Sequence, residues 1–70
     1  MPEMLPVDSS WIAAIGYDAS SEETFVELIE GGLYVYMSVP PVIWRAFINV
    51  DSKGTFVNEV LKPQYRFRNA

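Results

Sequence analysis

Seventy residues with a formal charge of −4 leave room for one domain with a small core, because a chain this short hides only about 60% of the surface its unfolded form exposes. With no cysteine and no histidine, neither a disulfide framework nor an ordinary zinc site can be built, so oligomerisation is the remaining reinforcement for so small a domain. The longest apolar run, Leu33 to Met37, falls far short of the ~20 residues that cross a bilayer; no basic residue precedes an apolar stretch at the N-terminus, and a cytoplasmic location is the expectation.

Residues 1–8 hold two prolines and little periodicity and are read as a flexible lead-in; a single domain is expected over residues 9–68. Trp11 to Tyr17 alternates, with Trp11, Ala13, Ile15 and Tyr17 on one face, which predicts a first strand. Asp18-Ala19-Ser20-Ser21-Glu22 is a turn rich in side chains that bond their own backbone. Thr24 to Glu30 predicts a second strand, apolar on both faces and so placed between neighbours. Gly31-Gly32 is a two-residue hairpin signal, since glycine takes positive φ without steric cost. The third strand, Leu33 to Val39, sends Leu33, Val35, Met37 and Val39 one way and Tyr34 and Tyr36 the other.

Pro40-Pro41 cannot continue a central strand but suits the first turn of a helix, and Ile43, Ala46, Phe47 and Val50 follow at helical spacing. Ser52 is a good N-cap for a second helix running to about Leu61, with Phe56, Val57, Val60 and Leu61 on its apolar face and Pro63 as its stop. The tail, Gln64 to Arg68, alternates aromatic and cationic residues, as a short edge strand or an extended arm would, with Tyr65 and Phe67 on the body and the arginines outward. Charge is lopsided: residues 1–51 carry −7 and residues 52–70 carry +3. Overall acidity argues against duplex DNA, which demands many phosphate contacts, while a local basic patch suits one or a few phosphates.

Enzyme readings fail by absence. Nucleophilic catalysis here would need a serine activated by lysine or a carboxylate pair in a cleft, and no pair has a diagnostic spacing; no catalytic residue, metal ligand or cofactor is expected. Ser52-Lys53-Gly54 is the best phosphate candidate, because a helix N-terminus offers free N–H groups and glycine allows close approach; the plainer reading is a cap and a tight interhelix turn. Tyr34 and Tyr36 share a strand face, as base stacking requires, and the same pairing serves a core or an interface. Arg66 and Arg68 are the exposed cations.

Ser10, Ile12, Ala14-Ile15-Gly16-Tyr17-Asp18, Tyr34-Val35-Tyr36, Val39-Pro40, Ser52-Lys53-Gly54, Phe56, Asn58 and Pro63-Gln64-Tyr65, in that order, resemble the KTSC domain, a small domain found at the C-terminus of some lysyl-tRNA synthetases and as free-standing bacterial and phage proteins. The resemblance covers roughly residues 9–68 and implies RNA binding.

The expected architecture is α+β: a three-stranded antiparallel meander, then two helices packed on one face, with a possible short C-terminal strand. The face carrying Leu33, Val35, Met37 and Val39 is expected to meet Phe47 and Val60. The expected function is a non-catalytic binding module for single-stranded RNA or a small or cyclic nucleotide, held by Tyr34, Tyr36, Ser52, Lys53, Gly54, Arg66 and Arg68, and built as a homo-oligomer without membrane partners. The alternative is a protein-interaction or homo-oligomeric assembly module using the same aromatics.

Overall fold

The computed structural model describes all of residues 1–70. One antiparallel sheet of five strands runs in sequence order: β1 (Met4–Pro6), β2 (Ile12–Asp18), β3 (Glu23–Leu28), β4 (Leu33–Tyr36) and β5 (Phe67–Asn69). The helices fall between β4 and β5, so the last pairing is closed by a long excursion rather than a hairpin. The sheet is thus wider than the three-stranded meander read from the sequence. The added strand β1 lies in the segment expected to be a lead-in, and it pairs through Met4 with Gly16 and Pro6 with Ala14. A Cβ at Gly16 would lie 2.6 Å from Met4 Sδ and 2.9 Å from the Glu3 carbonyl oxygen, so the N-terminal segment packs down on this glycine.

Asp18 stabilises the β2–β3 turn, its Oδ1 accepting from the Ser20 N–H at 3.0 Å and the Ser20 hydroxyl at 2.7 Å. The glycines do not make a two-residue hairpin. Both take positive φ, 105° and 101°, in a wider turn between Leu28 and Leu33 that is fastened by Leu28 N–H to the Gly32 carbonyl.

Helix α1 (Pro41–Asn49) begins with proline at its first position and buries Phe47. The second helical stretch starts as α2 (Lys53–Phe56), capped by Ser52 Oγ accepting from the Thr55 N–H at 3.2 Å. It then widens into a π-helical turn (Val57–Leu61) and ends as α3 (Lys62–Gln64). Pro63 sits within this last turn, so the helical stretch runs on through the proline expected to stop it.

The core is formed by Ile12, Ile15, Val26, Tyr36, Val39, Phe47, Val57 and Leu61, so the face that meets the helices carries Tyr34 and Tyr36, not Leu33 and Val35. Val35 is also fully buried, but on the opposite face, in register with Phe25 and Arg68. Val39 joins the helix-side core because Ser38 has a φ of 59°, which breaks the strand alternation and turns the chain. Val39 N–H donates to the Glu22 carbonyl at 2.8 Å, and the Tyr17 hydroxyl donates to the Val39 carbonyl at 2.7 Å. Burial first, and Glu22 second, push the Tyr17 hydroxyl pKa up. An isolated monomer of this mass exposes about 4,400 Å² on the usual scaling, and this chain exposes 4236 Å². The surface is thus ordinary for a chain of this mass.

Candidate ligand-binding surface

Two cavities meet along the sheet's helix-side edge. The aromatic one, about 250 Å³, is lined by Trp11, Tyr34, Tyr36, Phe67, Asn58 and Lys62, with Val57 at its base. The polar one, about 390 Å³, is lined by side chains that include Ser9, Ser10, Asp51, Ser52 and Thr55 together with Gly54. Trp11 and Asn58 belong to both, so the two form one surface with the indole and the amide at the junction.

Each side chain is placed by the fold. β4 and β5 pair Tyr36 with Phe67 and Tyr34 with Asn69, and this brings the Phe67 ring within 5.2 Å of Tyr34, edge-on, and 5.5 Å of Tyr36. Asn58 and Lys62 are four residues apart and share a face of the π-helical turn, where the Lys62 N–H reaches the Val57 carbonyl. Such turns insert one extra residue per turn and recur at functional sites. Trp11 is held by the cap before β2: Ser9 Oγ accepts from the N–H groups of Trp11 and Ile12 at 3.3 and 3.2 Å.

The residues singled out from the sequence divide between this surface and others. Tyr34 is half-buried with its ring in the aromatic cavity. Tyr36 keeps only 1% of its surface exposed; it is a core residue whose ring supports the cavity wall, and burial, with a smaller contribution from Tyr34, raises its pKa. Ser52, Lys53 and Gly54 line the polar cavity, but so do Asp8 and Asp51. The Lys53 ammonium donates to the Val50 carbonyl. Gly54 lies against Trp11, where an added Cβ would stand 2.5 Å from the indole Nε1; this glycine makes room for a side chain of the protein itself.

Arg68 lies on the other face of the sheet, its guanidinium 2.7 Å from Glu23 Oε2 diagonally across β4. That bond, ahead of the one from Ser21, holds the Glu23 carboxyl below its usual range. Arg66 borders a separate cavity with Met37 and Tyr65. The structure brings together Tyr34, Tyr36, Ser52, Lys53 and Gly54, and leaves Arg66 and Arg68 apart. Trp11, Asn58 and Lys62 were not among the sequence candidates. Asn58 and Lys62 were readable as one helix face; that Trp11 joins them depends on the sheet's register against the second helix, which periodicity does not carry.

Comparison with known proteins agrees with this architecture. The family model of the KTSC domain matches residues 8–65. A protein from Tsukamurella paurometabola is 38% identical over 90% of this chain and 94% of its own length, and an uncharacterized protein from Stutzerimonas stutzeri is 40% identical over 87% of each. A lysine–tRNA ligase from Nostoc is 27% identical over 91% of this chain, a stretch that makes up 11% of that enzyme. The crystal structure of a KTSC domain protein from Yersinia pestis superposes with a TM-score of 0.93 at 33% identity, covering 100% of this chain and 99% of that one.

Proposed function

The chain belongs to the KTSC domain family, and from that premise we propose that it is a non-catalytic binding module for a nucleotide ligand, either single-stranded RNA or a small nucleotide. The observation that supports this reading is the junction at Trp11 and Asn58 between an aromatic cavity and a polar one. The base enters the aromatic cavity against Tyr34, Phe67 and Trp11, where stacking contributes about 1 to 3 kcal/mol per base. Asn58, carrying both a donor and acceptors, meets the base edge. The sugar lies toward Ser10, Ser52 and Thr55, and the phosphate is met by Lys62.

This arrangement departs from a phosphate seated on Ser52-Lys53-Gly54. Asp8 and Asp51 border that end, and carboxylates oppose a phosphate while accepting bonds from sugar hydroxyls. Arg66 and Arg68 are outside the proposed pocket. The lysine–tRNA ligase similarity is compatible with RNA as the ligand.

A second reading, an assembly module forming a homo-oligomer, draws on one observation. Leu5 and Ile48 stay 43% and 39% exposed around a cavity of about 350 Å³ floored by Ile15 and bordered by Asp8, Asp51 and Lys53, and exposed apolar side chains within a charged rim are of the sort that marks an interface. Native mass spectrometry of the protein purified from cells tests both at once. A retained nucleotide or short RNA, whether on the single chain or on an oligomer, is the result expected of the first reading. An oligomer that carries no ligand and takes up none from a nucleotide panel would overturn it in favour of the second.

A further inference from the structure

The two outer edges of the sheet differ. Val7 N–H donates to the Ala13 carbonyl, so the backbone groups of Met4 and Pro6 are the ones turned outward from β1. Pro6 has no N–H to offer, which blunts that edge. At the other edge Met37 N–H donates to the Arg66 carbonyl and Ala70 N–H to the Leu33 carbonyl, with Val35 opposite Arg68 between them. The N–H and C=O groups of Phe67 and Asn69 therefore point away from β4, and no proline interrupts them.

Side chains on both faces of this edge are also unfilled. Phe67 is 45% exposed beside the aromatic cavity, and a cavity of about 420 Å³ lies next to Arg66, Met37 and Tyr65. Arg66 makes no ion pair, and Arg68, although bonded to Glu23 Oε2 at 2.7 Å, keeps 49% of its side chain exposed, with guanidinium donors left over for a second carboxylate. Alternate residues on a strand are about 7 Å apart, so the two guanidiniums match carboxylates at every second position of an extended segment.

We propose that the free edge of β5 takes an acidic extended peptide as a sixth antiparallel strand. Its backbone bonds Phe67 and Asn69, its alternate carboxylates meet Arg66 and Arg68, and an intervening side chain rests on Phe67. This is strand addition, in which main-chain bonds supply affinity and alternate side chains supply specificity. A second copy is a poorer occupant. Antiparallel pairing of two β5 strands through Phe67 and Asn69 sets Arg68 against Arg68, or Arg66 against Arg68, and like charges directly opposite are destabilising.

The probe is a capped Glu-Val-Glu-Val-Glu-Val peptide, followed by amide NMR and hydrogen exchange on the full chain. The expected result is protection of the Phe67 and Asn69 amides. Binding should weaken roughly tenfold on loss of one such bond, whether by Asn69→Pro, which removes an outward N–H without touching the β4 ladder, or by N-methylation of the bonded peptide amides. Each change leaves every charge in place. Absence of peptide binding, or binding indifferent to Asn69→Pro and to N-methylation, overturns the proposal. So does protection of the same amides by an oligouridylate or by self-association instead of the peptide.

Discussion

Trp11 lies over Gly54 so closely that a methyl group on that glycine would stand 2.5 Å from the indole Nε1. The contact joins the segment before β2 to the start of the second helical stretch and fixes the wall between the polar and the aromatic cavities. Because Ser52 caps the helix two residues before Gly54, the cap, the glycine and the indole act as one unit. Gly54→Ala is therefore expected to cost about 1 to 3 kcal/mol by overpacking. Urea unfolding measures it, and Trp11→Leu should recover part of the loss in the double variant. An additive pair would separate the two residues.

Tyr34 and Tyr36 should behave differently although they sit on one strand face. Tyr36 is buried among Val26, Val57 and Leu61, so Tyr36→Ala should cost on the order of 3 to 5 kcal/mol, read as a fall in the urea midpoint. Tyr34→Leu should change stability by no more than about 1 kcal/mol and weaken nucleotide binding. Equal destabilisation by both would contradict the assigned burial.

Thr24 is fully buried and its hydroxyl has no hydrogen-bond partner. It lies opposite Tyr36 and Tyr17 in the middle of the sheet. Thr24→Val keeps the shape and removes the unpaired group, and an increase in stability of about 1 kcal/mol is expected from denaturant titration.

Acid should loosen the β2–β3 turn. The Ser20 side chain, then its backbone N–H, holds the Asp18 carboxyl below its usual range, and Arg68 does the same for Glu23. A carboxyl with a depressed folded-state pKa contributes stability above the unfolded value, and that contribution is lost as pH falls through the ordinary carboxylate range to the folded value. The melting temperature should thus fall with acidification below that range, and Asp18→Asn together with Glu23→Gln should flatten the profile.

Much of the fold was legible in the residues. Alternation in Trp11 to Tyr17 and in Thr24 to Glu30 located β2 and β3, Pro41 marked the start of α1, and Ser52 capped the second helical stretch. The strand β1 was hidden because Pro2 and Pro6 read as breakers, while an edge strand tolerates proline where its N–H would face solvent. The facing of β4 was misread for a different reason. Leu33, Val35, Met37 and Val39 form an apolar row by period two, but the left-handed backbone at Ser38 ends that row, and the sheet buries side chains on both faces. The π-helical turn leaves no mark on periodicity, since Asn58 and Lys62 share a face in either helix type. The candidate residues of the second helical stretch were found as a cap, and their Trp11 neighbour required the packing.

The proposed function places a nucleotide base at the junction of Trp11 and Asn58. Two-dimensional NMR of the isotopically labelled chain, titrated with nucleoside monophosphates and short oligoribonucleotides, tests it most directly. Saturable shifts of the Trp11 indole N–H and the Asn58 side-chain amide are the expected result. Trp44, stacked on Tyr17 at 5.3 Å and outside both cavities, should remain still, and Lys62→Ala should weaken the binding. Titration to millimolar ligand that leaves Trp11 and Asn58 unmoved, or that moves Trp44 in their place, would contradict it.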